Sequence, residues 1–204
     1  MSTDLGRLGQ AVAYTLGCLD GVRTEHLTRS TPCAEWDLTG LLMHLDDSLV
    51  TLDALTASPA AYDGERHGVF AERAVDARGA LDSIRARLEG LHGHQPGPGM
   101  APTLAEVPEL PLRLPATTVA AVAAVECAVH GWDIAQTCGT RLPIPDSLAA
   151  DLLDVGHRLA PPHIRAGLFA APVPVTSEAL ASDRLVAYLG RQPRTAALAH
   201  RNAR

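Results

Sequence analysis

Leucine and valine residues recur along the chain at intervals of three and four, the spacing that puts apolar side chains on one face of an α-helix. The first such segment, from about Thr3 to Val22, carries Leu5, Leu8, Val12, Leu16 and Leu19. The second follows Asp37, which stands where an N-cap residue belongs, and continues to about Ala57. Its apolar stripe is Leu38, Leu41, Leu42, Leu45, Leu49, Leu52 and Leu55. The pattern predicts two amphipathic helices.

Two more helices complete the predicted core. One runs from about Phe70 to Leu91, and another begins at a Thr117 or Thr118 N-cap and continues to Thr137, with Gly139 as its stop signal. The segment between them, residues 92–115, is rich in glycine and proline and predicts a long crossover with a short extended pair. Four main helices joined by one long crossover predict an all-α four-helix bundle.

The C-terminal part of the chain predicts a short helical extension. A fifth helix is expected from about Asp146 to Leu159 and a last one from about Ala181 to Leu189, on either side of a proline-rich segment. The length of 204 residues suits one domain, with the core bundle in residues 1–145 and the extension in residues 146–204.

Composition excludes several function classes. All 17 basic residues are arginine, so the lysine amine required by Schiff-base, pyridoxal-phosphate and Walker-type sites is missing. The net charge of −6 disfavours a nucleic-acid or anionic-membrane partner, because both attract basic surfaces. The expected partner is a small-molecule substrate, and the expected state is a monomer or homodimer.

Compartment is predicted from the N-terminus and the cysteines. No run reaches the roughly 20 apolar residues of a membrane span, and no basic n-region of a signal peptide opens the chain. A cytoplasmic location is therefore expected. The cysteines show no metal-knuckle spacing and are expected as free thiols; they are Cys18, Cys33, Cys127 and Cys138.

Candidate chemistry lies on the second and fourth helices. Glu126 and His130 are four residues apart, so both project from one face of the fourth helix, toward the bundle interior. His44 lies on the flank of the leucine stripe, from where it reaches the same interior. A His/Glu/His set with open positions is typical of a catalytic divalent-metal site. The alternative from spacing alone is a surface ion pair.

Two sequence blocks carry a family resemblance. They are STPCAEWDL at residues 30–38 with LLMHL at 41–45, and ECAVHGWD at residues 126–133. Together they resemble the DinB/YfiT-like superfamily, and most closely its actinobacterial metal-binding branch related to mycothiol-dependent maleylpyruvate isomerase. Residues 169–174 and 183–191 are similar to the tail of shorter members. The resemblance implies that His44, Glu126 and His130 bind one divalent ion, commonly zinc, within a four-helix bundle. Some members use mycothiol or bacillithiol in isomerisation or S-transfer.

Several neighbouring residues receive secondary roles. Asp133, on the face of Glu126 and His130, is a candidate to orient an imidazole, with a helix-surface bond as the alternative. Ser48 is expected to line the pocket. Trp36 and Trp132 are predicted packing anchors, and Cys127 a buried thiol that points away from the metal. Three arginines are candidate anion contacts that no sequence feature places near His44; they are Arg165, Arg184 and Arg191.

The resulting hypothesis is a divalent-metal-dependent enzyme that activates a thiol or water for isomerisation, S-transfer or addition on a small electrophilic substrate. The sequence does not identify a general base. Two alternatives stay open: a metal-binding helical module without turnover, and a secondary-metabolism lyase or cyclase that reuses the same pocket.

Overall fold

A computed structural model describes residues 4–33, 36–56, 77–93, 104–106, 113–163, 165 and 169–193. Its helices are α1 (Asp4–Leu19), α2 (Leu38–Thr56), α3 (Ala77–Gly93), α4 (Ala116–Cys138), α5 (Asp146–Leu159) and α6 (Ala181–Tyr188). A 3₁₀ turn at Thr24–His26 lies between α1 and α2. The fold is the predicted all-α bundle.

The first four helices pack around one leucine- and alanine-rich core. Helix α1 packs against α3 and α4, and α2 packs against the same two helices. The leucines of the α2 stripe between residues 38 and 49 are at most 1% exposed. Because full burial of a leucine side chain stabilises a fold by about 1.5–3 kcal/mol, this stripe fixes α2 firmly in the bundle.

Close contact between α1 and α4 sets the position of the fourth helix. A Cβ atom on Gly131 would lie 2.9 Å from Thr15 Oγ1 and 3.2 Å from Thr15 Cα, so glycine allows the two backbones to approach. The Thr15 hydroxyl lies 2.7 Å from the Cys127 carbonyl oxygen and 2.8 Å from the Ala11 carbonyl oxygen. Gly131 directly follows His130, so this contact also places the candidate ligands.

The start of α2 is built as the sequence predicts. The Asp37 carboxylate accepts a hydrogen bond of 2.8 Å from the Gly40 N–H, as an N-cap residue does. Thr31 closes the preceding turn, because its backbone N–H donates to the Trp36 carbonyl oxygen over 3.2 Å. This turn holds Trp36 one residue before the cap, next to the first turns of α2.

Helix boundaries differ from the predictions at a few positions. Helix α1 ends at Leu19 rather than Val22, because residues 20 and 21 form a turn. Thr117 and Thr118 lie inside the first turn of α4 and are not its caps, since α4 begins at Ala116, directly after a strand. The predicted start of the third helix, at Phe70, lies outside the described residues.

The crossover contains the predicted extended pair. Strand β1 (Leu104–Glu106) pairs antiparallel with β2 (Arg113–Pro115), with Ala105 opposite Leu114. Helix α4 ends at Cys138, one residue later than predicted, and is followed by the expected stop at Gly139, which has a φ of 77°. The prediction of a single domain stays a prediction.

Helices α5 and α6 pack on each other, and α5 also packs on α4. Helix α5 has its predicted bounds, and α6 ends one residue earlier than expected. After α6, Gly190 has a φ of 86° and turns the chain inward, so that Arg191 is only 8% exposed.

Helix α4 corrects the expectation that no segment is long and apolar enough to span a bilayer. Among the helices that the structure describes, Thr117–Cys138 satisfies that length and composition criterion. However, 83% of the apolar window is buried inside the protein, as in a core helix. Its apolar character is explained by packing against α1, α2 and α5.

Candidate metal centre

His44 on α2 and the pair Glu126 and His130 on α4 meet between the two helices. Glu126 Oε2 lies 3.2 Å from His130 Nε2 and 3.8 Å from His44 Nε2. One ligand atom from each of the three residues lies within 4.8 Å of the other two. The structure therefore brings together the three residues that the sequence singled out.

The donor set fits a divalent cation. Zinc bonds of about 2.0–2.1 Å at tetrahedral angles place neighbouring ligand atoms about 3.3 Å apart, a separation that the two observed distances bracket. Two imidazoles and one carboxylate suit zinc and other first-row divalent ions. Three protein ligands leave at least one position for water or substrate, as in catalytic sites.

Asp133 contacts the imidazole of His130 from behind. Its Oδ2 lies 3.1 Å from His130 Nδ1, and its side chain is fully buried. A carboxylate only accepts hydrogen bonds, so Nδ1 carries a proton and donates it, which leaves Nε2 facing Glu126. Metal-binding histidines usually have a contact of this kind, and the predicted role of Asp133 beside a metal stays a prediction.

Arg191 also belongs to this network, which the sequence did not reveal. Its Nη2 lies 3.0 Å from Asp133 Oδ2, and its Nε lies 3.4 Å from Asp133 Oδ1. Arg191 is therefore the counter-ion of a buried carboxylate beside the cluster. Arg184 is exposed on α6, and Arg165 donates to the carbonyl oxygens of Ala170 and Tyr188.

Aromatic rings surround the two histidines. The Trp36 ring centroid lies 4.4 Å from that of His44, and the two histidine rings meet edge to face at 5.1 Å. Trp36 is half-buried and also packs against the core, so the predicted packing role is joined by a direct contact with a candidate ligand. Trp132, at 3% exposed, is a core residue.

The charges of the cluster support one another. Burial of the Glu126 carboxyl would raise its pKa, but its interactions with His130 and His44 outweigh this effect and hold the pKa below its usual range. Burial would lower the pKa of His130, but hydrogen bonds to Asp133 and Glu126 raise that pKa to about 9. The proton that the raised pKa keeps on His130 is shared between the two carboxylates that contact its ring.

Solvent reaches the cluster from one side. The side chains of His44 and Glu126 are 37% and 33% exposed, whereas that of His130 is 7% exposed. Ser48, one helical turn after His44, is half-buried, and its role in the pocket stays a prediction. Cys127 is buried, and burial raises the pKa of its thiol to about 12, so this thiol is inert as expected.

A separate surface cavity of about 350 Å³ lies between the 3₁₀ turn and α3. Arg23, Arg78 and Leu81 are part of its lining, which includes no residue of the His/Glu/His cluster. The candidate chemistry is therefore located at the open side of the α2–α4 contact rather than in this cavity.

The fold and the cluster define an all-α bundle with a His/Glu/His constellation of metal-binding type. Residues 8–135 match the family described as the mycothiol maleylpyruvate isomerase N-terminal domain, and the chain belongs to that family. This confirms the resemblance derived from the two sequence blocks. Helices α5 and α6 lie beyond the matched segment.

Two uncharacterised proteins of Mycobacterium tuberculosis, from strains CDC 1551 / Oshkosh and ATCC 25618 / H37Rv, are similar to the chain. Each is 28% identical over 179 residues, which cover 86% of this chain and 91% of the relative. The similarity thus covers more of the chain than residues 8–135, the segment that matches the family. No solved structure matches the chain.

Proposed function

We propose that this protein is a divalent-metal-dependent enzyme that uses a thiol of the mycothiol type, or water, against a small electrophilic substrate. His44, Glu126 and His130 are the proposed protein ligands, and zinc is the proposed ion. The reaction classes are isomerisation, S-transfer and addition. The proposal includes a cytoplasmic location and a small-molecule substrate.

One observation carries the proposal: three ligand atoms from α2 and α4 lie within 4.8 Å of one another, in a chain of the mycothiol maleylpyruvate isomerase N-terminal domain family. A divalent cation held there would lower the pKa of a bound thiol or water and so supply a nucleophile near neutral pH. The partial exposure of His44 and Glu126 leaves a side from which substrate approaches.

The chain's own residues have distinct parts in this proposal. Asp133 holds the ring of His130 so that Nε2 faces the cluster. Trp36 covers one face of His44 and restricts its rotation. Burial raises the pKa values of the Cys18 and Cys127 thiols to about 11 and about 12, so neither of these two thiols serves as the nucleophile, which in this proposal is the thiol of a small molecule.

The first test is metal content. We expect purified protein reloaded with zinc to bind about one ion per chain by elemental analysis, and His130→Ala and Glu126→Gln to lose most of it. His163→Ala, an exposed histidine on a turn, is the matched control and retains the ion. Unchanged metal content in His130→Ala would contradict the ligand assignment.

The second test is thiol binding. Mycothiol added to the zinc-loaded protein should raise the melting temperature by mass action, and the effect should disappear in Glu126→Gln. Zinc binding without any response to thiols would instead favour the module without turnover or a reaction of another class. Thermal-shift screening of small electrophiles then separates these two outcomes.

A further inference from the structure

The buried pair of Arg191 and Asp133 joins the C-terminal extension to the candidate metal centre. The two residues are 58 positions apart and meet in the protein interior, where Asp133 is 0% and Arg191 8% exposed. Arg191 lies outside the segment 8–135 that matches the family. The network behind His130 is therefore completed by a part of the chain that the family segment does not contain.

The end of α6 delivers the Arg191 side chain in a defined orientation. The Gly190 N–H donates to the Ala187 carbonyl oxygen over 3.1 Å, and the Arg191 N–H donates to the Val186 carbonyl oxygen over 2.9 Å. These two bonds form a Schellman motif, with Gly190 in the left-handed conformation that the motif requires. Arg191 Nη1 also donates to the Leu189 carbonyl oxygen over 3.0 Å, which fixes the guanidinium against its own helix end.

The guanidinium presents two of its N–H groups to the two oxygens of Asp133. Asp133 Oδ2 then receives both Arg191 Nη2 at 3.0 Å and His130 Nδ1 at 3.1 Å. A carboxylate without solvent contact needs a positive partner and hydrogen-bond donors to offset the loss of its hydration. Arg191 is that partner for Asp133, and Asp133 is the hydrogen-bond acceptor that sets the ring of His130.

We propose that Arg191 is a positioning residue for metal binding, which acts through Asp133 on the orientation of His130 and so couples the docking of α6 to the affinity of the metal centre. The inference rests on the proposed function, in which His130 is a ligand. Because coupling between two sites is reciprocal, metal binding must also stabilise the docked α6.

The affinity test uses zinc titrations of the full chain against a competing chelator. We expect Arg191→Met and Asp133→Asn each to weaken zinc binding about tenfold, the lower end of the range for outer-shell substitutions at metal sites. Arg184→Met is the matched control, since Arg184 is exposed on α6. Its zinc affinity should equal that of the unmodified chain.

A double-mutant cycle distinguishes positioning from a general structural effect. If Arg191 acts through Asp133, the double variant binds zinc no more weakly than Asp133→Asn alone. Additive losses would mean that Arg191 acts by another route and would overturn the proposal. Arg191→Lys keeps the positive charge but loses the paired N–H groups of the guanidinium. This variant should retain the fold and recover part of the zinc affinity that Arg191→Met loses.

Hydrogen exchange supplies a readout that is independent of activity. Zinc should slow amide exchange in residues 181–191 of the unmodified chain, and this protection should disappear in Arg191→Met and be partly retained in Arg191→Lys. Normal zinc binding with no effect of any Arg191 variant overturns the positioning role and leaves the proposed function standing. Failure of the unmodified chain to bind zinc overturns both.

Discussion

His130 contacts a carboxylate at each ring nitrogen, and these two contacts determine how the metal-free site titrates. The carboxylates raise the pKa of His130 from 6.5 to about 9, so the metal-free protein holds a proton on Nε2 at neutral pH. A metal ion that binds Nε2 must displace this proton. We therefore expect zinc affinity to rise about tenfold per pH unit from neutrality up to about pH 9, and then to level off.

The same proton has the opposite effect on the stability of the metal-free protein. A raised pKa stabilises the folded state fully below the unfolded value of 6.5, and this contribution is lost as the pH rises through about 9. Thermal unfolding of the chelator-treated protein at several pH values measures this loss. Calorimetric zinc titrations in two buffers of different ionisation enthalpy measure how many protons are released when zinc binds. An affinity independent of pH in this range would contradict the assignment of His130.

Residue spacing predicted one half of the site and missed the other half. The interval of four between Glu126 and His130 and of three between His130 and Asp133 specifies a shared helix face, so these contacts follow from α4 alone. The stacking of Trp36 on His44 and the pairing of Arg191 with Asp133 depend on how separate segments pack. No local pattern encodes those distances, although Gly190 before Arg191 does signal a helix end.

At the level of elements, two glycines that end helices provide a matched comparison. Gly139 after α4 and Gly190 after α6 both have positive φ, 77° and 86°. A Cβ on Gly139 would meet nothing within 4 Å, whereas one on Gly190 would lie 2.9 Å from the Ala170 carbonyl oxygen. Alanine at position 139 therefore has only the conformational cost of a positive φ. Alanine at position 190 has this cost and also a steric clash with the main chain of Ala170.

We expect Gly139→Ala to lower the free energy of unfolding by about 1–2 kcal/mol, the cost of a left-handed conformation in an L-residue. Gly190→Ala should cost more than this, because the clash forces α6 or the Ala170 segment to shift. Urea denaturation of both variants measures the difference. Equal losses would show that the Ala170 segment yields easily, and the end of α6 would then not be rigidly held.

Helix boundaries reveal which elements the sequence specifies by itself. Helix α2 begins where Asp37 predicts, because the cap bond to the Gly40 N–H is local. The start of α4 was predicted two or three residues late, because its threonines look like caps, which precede the first helical residue, while β2 runs directly into Ala116. The pairing of β1 with β2 joins segments across the crossover, and only the apolar clusters between prolines hinted at it.

Across the whole molecule, the candidate ligands join two helices that are separated by the crossover and α3. His44 comes from α2 and Glu126 and His130 from α4, so a bound ion would link elements that otherwise meet through apolar packing. An ion of this kind binds the folded chain and not the unfolded one, since only folding brings the three ligand atoms together. Metal affinity should then appear directly as stability.

We expect zinc at about one hundred times its dissociation constant to stabilise the fold by about 2.7 kcal/mol. For a chain of this size, that gain raises the melting temperature by about 5–11 °C. A chelator should reverse the shift, and Glu126→Gln should show little of it, while His163→Ala behaves as the unmodified protein. Glu126→Gln removes one of the three proposed ligands and should therefore weaken zinc binding at the α2–α4 contact. An equal rise in melting temperature in this variant would mean that the stabilising ion binds at another site.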